Sequence, residues 1–460
     1  MGETIPTWKP TCNPSVSVRL SGRKNSSDGG AFLLREVMDR SGLCERLDQQ
    51  LTDSRDPARI RHSLSSQVRT LLIQRALGWD DLSDTQLLGQ DPVLQLACSD
   101  QRSTTPLLQQ RPSQATLSRL LNLLAQDSNR DALQEGLLDL AMWRLSSLRD
   151  GKPLSSITLD IDGLPIETFG NQSGTAYNPY VGYRHYSPLV ASIAETGDMV
   201  GGLLREGNSG NASHADQWIP RLVQRIRQTT GSNVQVRFDA GFTGDATLSA
   251  LDAEKIPFVG RLGSNAVLER KAEPYLKRPP GRPPAEPREW CHEFYYKADR
   301  WQKARRIILV VSERPDDLFL HHFFLVTSLD AVKWRGSEVL ALYRKRGKAE
   351  GHMGEFKDTL NVHLSSTCRG ASTVQQVMGR NQASLLLSLY AYQLMHSLRM
   401  LMQYITFQGW SLRKVREQIL KTAATVVIHA RRVTVHIGHS GDKWWPTLLR
   451  HLPLLHPVPV

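Results

Sequence analysis

The spacing of apolar residues predicts that the first third of the chain is helical. Between residues 31 and 148, apolar residues recur three or four positions apart, as on one face of an α-helix, in segments such as FLLREVMDRSGLCERLDQQL. Residues 1–30 are polar and contain several Ser, Pro and Gly residues, so we expect a flexible arm there. The pattern therefore predicts an arm over residues 1–30 and a helical domain over residues 31–150.

The pattern after Gly151 changes to the alternation of apolar and polar residues that is typical of β-strands. The segment SSITLDIDGLPI predicts a first strand, and two further strand-like runs follow it, joined by a turn at residues 196–198. An amphipathic helix, a strand that ends at Asp239, a short helix and the strand IPFVGRL complete residues 151–263. This order of elements predicts an α/β fold, a mixed sheet with helices on its faces.

Residues 264–340 interrupt this α/β pattern. They begin with a Pro-rich segment and continue with three strand-like runs that contain many aromatic and β-branched residues. We therefore predict a mainly β insertion between two parts of one core, with residues 341–460 forming the second part and the C-terminal region. Within that part, polar residues interrupt the apolar stretch 385–405, which favours a buried helix over a membrane span.

The charge of the chain favours a polyanionic partner. It contains 57 Lys and Arg residues against 45 Asp and Glu residues, so its net charge is +12. This balance is typical of proteins that bind nucleic acid, although a basic protein without that role is an alternative. The five cysteines include no Cys-x-x-Cys pair, which argues against a zinc site, and no secretory signal is visible. We expect a cytoplasmic protein.

Two predicted strand ends carry acidic residues that suit metal chemistry. Asp160 and Asp162 lie on one face of the first strand, where a carboxylate is unfavourable unless it is paired or binds a metal ion. Asp239 ends the later strand, a position that is common in binding sites and equally common for a turn or helix cap. Alternation does not choose between Asp160 and Asp162, and an Asp that only starts the turn at Gly163 is an alternative.

A third acidic residue, Glu350, lies in the basic segment YRKRGKAEGHMGEFK. On a helix with about 100° per residue, one stripe contains Tyr343, Arg346, Glu350 and Lys357. Glu355 points elsewhere. A carboxylate flanked by cations suits a metal ligand beside nucleic-acid phosphates. The alternative is a solvated basic helix whose carboxylate forms an ion pair.

The spacing of the four residues in this stripe resembles the Tyr-Arg-Glu-Lys motif of bacterial insertion-sequence DDE transposases. Together with the stripe, the segments LDIDGLPIETFGNQ, LLREGN and RFDAGF are similar to one subgroup, the IS thirteen-eighty family, which has a group 1 DDE transposase domain. The resemblance extends over residues 32–451 and therefore covers most of the chain.

The resemblance implies an RNase H-like catalytic core that is interrupted by the β insertion. The helical region over residues 31–150 has the size of a DNA-binding module, and we expect it to be the DNA-binding domain. The resemblance also implies a DNA transposase that binds terminal inverted repeats, cleaves the ends of the element and transfers them to target DNA. Phosphoryl transfer of this kind uses two divalent cations, and the expected cofactor is Mg²⁺, with Mn²⁺ as its substitute. A structure-specific nuclease and a sequence-specific DNA-binding protein derived from a transposase are the alternatives.

Carried over residue by residue, the resemblance assigns the catalytic and metal-binding triad to Asp162, Asp239 and Glu350. Asp160 stays a candidate metal ligand, because Gly163 follows the later Asp where members of the family carry Ser, Thr or Pro. The choice of the first ligand is therefore open at this point.

The predicted DNA contacts are Tyr343, Arg346 and Lys357 of the stripe. Arg205 and Asn208 follow a strand and are further candidates, although a role in a turn is equally compatible with their position. The expected partner is double-stranded DNA, both the terminal repeats and the target, bound by a homodimer in association with the bacterial nucleoid.

Overall fold

Helices predominate in the first third of the chain and again over residues 336–406, and most of the strands lie between these two regions. The computed structural model describes residues 23–147, 154–170, 172–278, 285–315, 319–362, 373–430 and 432–457, with a few isolated positions outside these ranges. Its helices are α1 (Ala31–Arg40), α2 (Leu43–Gln50), α3 (Leu64–Leu77), α4 (Asp84–Leu87), α5 (Pro92–Cys98), α6 (Gln114–Leu124), α7 (Asp127–Ser147), α8 (Ala215–Thr230), α9 (Asp245–Ala253), α10 (Ala266–Ala272), α11 (Gly336–Arg344), α12 (Gly347–Leu360), α13 (Val374–Thr406), α14 (Leu412–Val415) and α15 (Trp445–His451). Its strands are β1 (Thr7–Trp8), β2 (Val18–Arg19), β3 (Asn25–Ser26), β4 (Ser156–Gly163), β5 (Ile166–Glu167), β6 (Ala176–Asn178), β7 (Tyr183–Tyr186), β8 (Leu189–Ile193), β9 (Met199–Leu203), β10 (Asn233–Phe238), β11 (Phe258–Leu262), β12 (Arg288–Tyr296), β13 (Arg305–Glu313), β14 (His321–Thr327), β15 (Ala424–His429) and β16 (Arg432–Ile437).

One sheet of eight strands forms the centre of the molecule. Its strand order is β12-β13-β14-β11-β10-β4-β8-β9, in which β4, β10 and β11 run parallel and the other neighbours are antiparallel. The prediction of a mixed α/β fold is therefore confirmed. Helices pack against this sheet, which allows the apolar residues of β4 and β10 to be buried, as parallel strands require.

The strands of the predicted insertion are present, but they do not form a separate unit. β14 pairs antiparallel with β11, from Val259 opposite Thr327 to Leu262 opposite Phe324, so β12, β13 and β14 extend the central sheet. The reason lies in β13, where residues 307–311 are all fully buried. A strand that is apolar on both faces needs cover on both sides, and continuation of the sheet provides it.

The N-terminal helices share a core with the C-terminal part of the chain. Helix α13 is buried along most of its length, and α1, α3, α6 and α7 pack around it. Arg75 of α3 donates a hydrogen bond to Ser384 of α13 (2.9 Å), and Tyr390 of α13 donates one to the carbonyl of Leu133 (2.6 Å). A helix that is apolar on all sides must be surrounded. The predicted boundary near residue 150 therefore does not separate two independent cores.

Helix α13 contains the apolar stretch 385–405, for which the sequence predicted a buried helix, and that prediction is confirmed. Its polar residues Gln393, His396 and Arg399 are buried with the rest. Among the described residues, no helix combines the length and the apolar character needed to cross a membrane.

The end of the predicted arm packs against the C-terminal region. Strand β3 pairs with β15, and the amide of Gly30 donates a hydrogen bond to the carbonyl of Leu420 (3.1 Å). Asp28 is buried and accepts a hydrogen bond from the indole of Trp79 (3.1 Å). The prediction of a flexible arm is therefore wrong for residues 25–30, whereas residues 1–6 lie outside the described ranges.

A buried group of polar residues ties the hairpin of β8 and β9 to two helices. Asp198 is fully buried and forms an ion pair with Arg144 of α7. Gln393 of α13 donates a hydrogen bond to the same carboxylate, and Nε2 of His396 lies 3.7 Å from its Oδ1. Burial opposes ionisation of Asp198, but Arg144 and His396 together outweigh burial, so the pKa of Asp198 lies well below its usual value.

We predict that Asp198→Asn lowers the free energy of unfolding by about 3–5 kcal/mol, because it leaves the Arg144 guanidinium buried without its charged partner. Urea denaturation measures the change. The matched control is Glu36→Gln, which removes a surface ion pair between side chains that are 40% and 23% exposed. That control should cost less than about 0.5 kcal/mol. Equal losses in the two variants would show that the buried pair is not a structural anchor.

Candidate active site

The two predicted site aspartates at strand ends lie side by side. Strands β4 and β10 are parallel neighbours, and their register pairs Asp160 with Arg237. Asp162 and Asp239 each follow this last pair by two residues, so both lie at the carboxyl-terminal edge of these strands, and the charge of Asp239 acts on Asp162. Ligands of open α/β sheets bind at this edge.

Each of these aspartates also organises the backbone around it. The amide of Gly163 donates a hydrogen bond to Oδ1 of Asp162 (2.9 Å), and the amide of Gly241 donates one to Oδ1 of Asp239 (2.9 Å). Asp239 thereby caps the short 3₁₀ turn Ala240–Phe242, so the capping role that the sequence left open is present. None of the described hydrogen bonds uses its second carboxylate oxygen, which can therefore accept a ligand.

The basic segment that carries Glu350 forms two helices. Helix α11 ends at Arg344 and α12 begins at Gly347, with Arg346 as the residue before its first turn. The prediction of one continuous stripe through residues 343–357 is therefore wrong. Three glycines weaken helical structure in this segment, and the first of them directly follows the break.

Arg346 holds the first and the third carboxylate together. Its side chain is 10% exposed; Nη2 lies 2.6 Å from Oδ2 of Asp162, and Nη1 lies 2.9 Å from Oε1 of Glu350. Burial by itself would lower the pKa of Arg346, but the surrounding acidic groups outweigh burial and raise it. The guanidinium therefore stays charged, and in this structure it lies between β4 and α12.

The three acids repel one another at this place. The pKa of Asp162 is raised to about 6, chiefly by burial. The charges of Asp239 and Glu350 also raise it, whereas Arg346 lowers it. Arg346 pairs with two of these carboxylates and Asp239 adds a third negative charge, so the excess of negative charge favours a further cation.

Asp160, the alternative first ligand, has a different environment. Its two oxygens accept hydrogen bonds from Arg237, each at 2.7 Å, and both side chains are 1% exposed. Arg237 also donates to the carbonyl of Leu342 in α11 (2.6 Å). Burial raises the pKa of Asp160, although its guanidinium partner opposes that shift. The pair joins β4, β10 and α11, and Asp162 is the aspartate that contacts Arg346.

Arg205 and Asn208 lie in the loop after β9, and Arg205 faces the loop itself. It is buried and donates hydrogen bonds to the carbonyl of Asn211 in this loop (2.7 Å) and to the carbonyl of Ser187 between β7 and β8 (2.7 Å). Burial lowers the pKa of Arg205 to about 10. The structure does not favour the predicted DNA contact for Arg205, because its donors already hold the loop. Asn208 is exposed at the turn, and its contact stays a prediction.

Lys357 and Tyr343 lie on the two helices that flank the break. Lys357 follows Glu350 by two turns of α12, and its ammonium donates a hydrogen bond to the hydroxyl of Tyr183 in β7 (3.2 Å). The same nitrogen lies 5.6 Å from the centre of that ring. Tyr343 is half-buried near the end of α11, and burial raises its pKa. Tyr343 is thus close enough for the charges of Arg346, Asp239 and Glu350 to act on it, whereas the described contacts of Lys357 are with Tyr183.

Sequence analysis did not identify the contacts that hold α12 in place. Glu355 accepts a hydrogen bond from the amide of Leu412 (3.1 Å) and forms an ion pair with Arg399 of α13. Arg399 donates to the hydroxyl of Tyr392 (3.1 Å), which donates to the carbonyl of Gly197 (2.9 Å). These contacts join α12 to the β8–β9 hairpin beside β4. The signal was an arginine in an apolar helix, since a buried cation needs an acidic partner.

As donor types, the carboxylates of Asp162, Asp239 and Glu350 match the ligand chemistry of a hard divalent cation. Mg²⁺ binds a few carboxylate oxygens together with water and substrate phosphates. As the described residues stand, no three His, Cys, Asp or Glu side chains are arranged to hold an ion, and the Arg346 guanidinium contacts Asp162 and Glu350. The donor set and its excess negative charge fit Mg²⁺ or Mn²⁺.

Comparison with known proteins places the chain in a family. A search of curated protein sequences gives no match. Among solved structures, the chain is similar to the piggyBac transposase in the cryo-EM structure of its synaptic complex with hairpin DNA, at 13% identity, covering 86% of this chain and 80% of that chain, with a TM-score of 0.40. That TM-score is too low to establish a common fold. The sequence matches the family described as transposase DDE domain group 1 over residues 9–447, nearly the whole chain. The chain belongs to this family of DDE-domain transposases.

Proposed function

We propose that this protein is a bacterial insertion-sequence transposase of the IS thirteen-eighty type. It binds the terminal inverted repeats of its element, cleaves the DNA ends and transfers them to target DNA. The observation that carries this proposal is the convergence of Asp162 and Glu350 on Arg346, beside Asp239, in a chain of the DDE transposase family. A single acid at a strand end often only caps a turn, whereas three acids from separate elements at one sheet edge suit a shared cation.

The proposed catalytic core is RNase H-like. Its five central strands have the order β11-β10-β4-β8-β9; β8 is antiparallel to β4 and β9, whereas β10 and β11 are parallel to β4. Along the chain, α8 and α9 separate β9, β10 and β11, in the order that the sequence predicted. In this proposal, residues 264–340 are an insertion that extends the sheet, and the helices of residues 31–150 contribute DNA binding.

The proposed chemistry is metal-assisted phosphoryl transfer. Asp162, Asp239 and Glu350 would hold Mg²⁺ or Mn²⁺, which when bound activate the attacking oxygen and stabilise the leaving oxygen of the phosphodiester. The anchored helix α12 fixes Glu350 relative to the two strands. Lys357, on the same helix, supplies a charge for a backbone phosphate. Tyr343, at the end of the preceding helix, borders the path of the same DNA end.

The proposed partner is double-stranded DNA, both the terminal repeats and the target. The net charge of +12 supports this partner, because neutralised phosphates release counter-ions and favour binding. We place a homodimer on the DNA, since inverted repeats present the same sequence twice and a twofold assembly offers one site to each. The protein would act at the nucleoid in the bacterial cytoplasm.

Incubation of the purified protein with labelled element ends, a target plasmid and Mg²⁺ tests the proposal. We expect labelled ends that are joined to the plasmid. Cleavage without joining would favour a structure-specific nuclease, and binding without cleavage would favour a DNA-binding protein derived from a transposase. The presence of all three acids favours an active enzyme over the last alternative.

We predict that Asp162→Asn, Asp239→Asn and Glu350→Gln each reduce cleavage of labelled ends to below about a tenth of the wild-type rate, a cost of at least ~1.4 kcal/mol. Each amide keeps the shape of the side chain but loses the charge that divalent cations require. DNA binding in a gel-shift assay should change little. The matched control is Asp358→Asn, an exposed acid on α12, which should cleave like the wild type. If a triad variant keeps more than about a tenth of the wild-type rate, the residue that it replaces is not a metal ligand.

The neighbouring aspartates of β4 should differ in what they stabilise. Asp160→Asn leaves Arg237 buried without a charged partner, so we expect the free energy of unfolding to fall by about 3–5 kcal/mol. In Asp162→Asn, by contrast, Arg346 keeps its ion pair with Glu350. The pKa of Asp162 is raised to about 6, chiefly by burial, so its ionised form opposes folding at pH 7. We therefore expect Asp162→Asn to lose less stability than Asp160→Asn in urea denaturation at pH 7. If Asp162→Asn were instead the less stable of the two variants, the roles of the two residues would be exchanged.

Removal of the Lys357 charge should weaken binding to the element end. For Lys357→Ala we expect the slope of log affinity against log salt to fall by about 1, because one phosphate contact is lost. Fluorescence anisotropy at several salt concentrations measures the slope. The control is Tyr183→Phe, which removes the hydroxyl that contacts the ammonium but leaves the charge in place. An unchanged slope in Lys357→Ala would mean that this side chain only adds to the net charge.

A further inference from the structure

The DNA contact expected of Arg346 does not explain why its guanidinium lies between two carboxylates. We propose that Arg346 is an internal counter-ion of the carboxylate cluster, which neutralises Asp162 and Glu350 in the absence of DNA and is withdrawn when a DNA phosphate binds it. The binding of a DNA end and the binding of divalent cations then reinforce each other. This inference rests on the proposed function, and it adds that the binding of a DNA end determines when the site binds its cations.

The contacts of Arg346 are those that a bound cation would otherwise make. One nitrogen lies 2.6 Å from Asp162 and another lies 2.9 Å from Glu350, so one oxygen of each acid is engaged. The two acids belong to different elements, β4 and α12, and the guanidinium joins them. A cation that binds both acids must displace the guanidinium from at least one of them, because two positive groups on one carboxylate repel each other.

The guanidinium is also incompletely satisfied where it stands. Nε of Arg346 is buried and has no hydrogen-bond partner among the described residues. A guanidinium carries five N–H donors in a planar fork that matches the oxygens of a phosphate. A DNA phosphate at the site would therefore offer acceptors for the N–H donors of Arg346 that the two carboxylates leave unused.

The local structure allows Arg346 to change partners. It directly precedes the first turn of α12, and its long side chain can reach a new partner by rotation about its own bonds. The acid at one end of the bridge, Glu350, is 63% exposed, so solvent weakens that contact. Asp162 is only 21% exposed and holds the other end more firmly. We expect release to begin at Glu350.

Coupling between DNA and cations follows from this exchange. A phosphate that draws Arg346 away removes a competing positive charge, so the affinity of the carboxylates for divalent cations rises. By thermodynamic linkage, bound cations raise the affinity for DNA by the same factor. The protein without DNA would hold few cations, and cleavage would begin only where a DNA end is bound.

Titration of the full-length protein with Mn²⁺ in the absence of DNA tests the competition, with free Mn²⁺ measured by electron paramagnetic resonance. Loss of the guanidinium in Arg346→Ala and Arg346→Gln should raise the Mn²⁺ affinity by about tenfold or more. The matched control is Lys348→Ala, which removes an exposed cation of α12 that has no ion pair among the described residues. That control should bind Mn²⁺ much as the wild type does. Equal or weaker binding in both Arg346 variants would overturn the inference, because Arg346 would then support the site.

If an Arg346 variant is less stable than the wild type, its melting temperatures measured with and without Mn²⁺ still test the competition. Competition predicts that Mn²⁺ raises the melting temperature of the Arg346 variants more than that of the wild type. A smaller or equal rise would contradict it.

A second Mn²⁺ titration in the presence of a duplex that carries the terminal repeat tests the coupling. We expect the wild-type affinity for Mn²⁺ to rise toward that of Arg346→Ala, so that the difference between the two proteins narrows. A difference that DNA leaves unchanged would overturn the inference while the proposed metal site stands. The absence of Mn²⁺ binding in both proteins, with and without DNA, would instead overturn the proposed function itself.

Discussion

The need to balance three carboxylates at one edge of a sheet is the constraint on which the rest of the structure depends. Asp162 and Asp239 stand side by side because β4 and β10 are parallel neighbours in a register that aligns their ends. Glu350 joins them from α12, and Arg346 supplies the positive charge that lets them coexist. Charges of this kind are tolerated away from water only with such a partner, so the site requires rigid elements on both sides.

Two sets of buried polar contacts provide that rigidity. The Asp160–Arg237 pair joins β4, β10 and α11 next to the carboxylates. On the other side, Glu355 and Arg399 dock α12 on α13, and Asp198 docks α13 and α7 on the β8–β9 hairpin. Because β8 pairs with β4, both sets end on the strand that carries Asp162. The relative position of the acids is therefore set by contacts that lie outside the site.

The sequence predicted the elements of the core and the acids at their ends, because alternation and strand-end position are local properties. It did not predict that α11 and α12 are separate, since helix periodicity continues through residues 343–357 and only the glycines signal the break. The sequence also predicted a boundary between the N-terminal helices and the rest of the chain, although these helices share a core with the C-terminal part. The apolar residues of β13 and α13 show that these elements are buried, but not against which partners. Arg205 illustrates the same limit, because a charge in a loop is assigned to solvent until its carbonyl partners are known.

The central claim, that Asp162, Asp239 and Glu350 bind the same cations, is tested most directly by anomalous X-ray scattering from crystals of the full-length protein with its DNA end and Mn²⁺. We expect anomalous peaks at coordination distance, about 2.0–2.6 Å, from carboxylate oxygens of all three acids. Arg346 should then contact a DNA phosphate instead of Glu350. Peaks without Asp239 or Glu350 among their ligands would contradict the claim. Peaks at other residues, in crystals with DNA bound at this edge, would also contradict it.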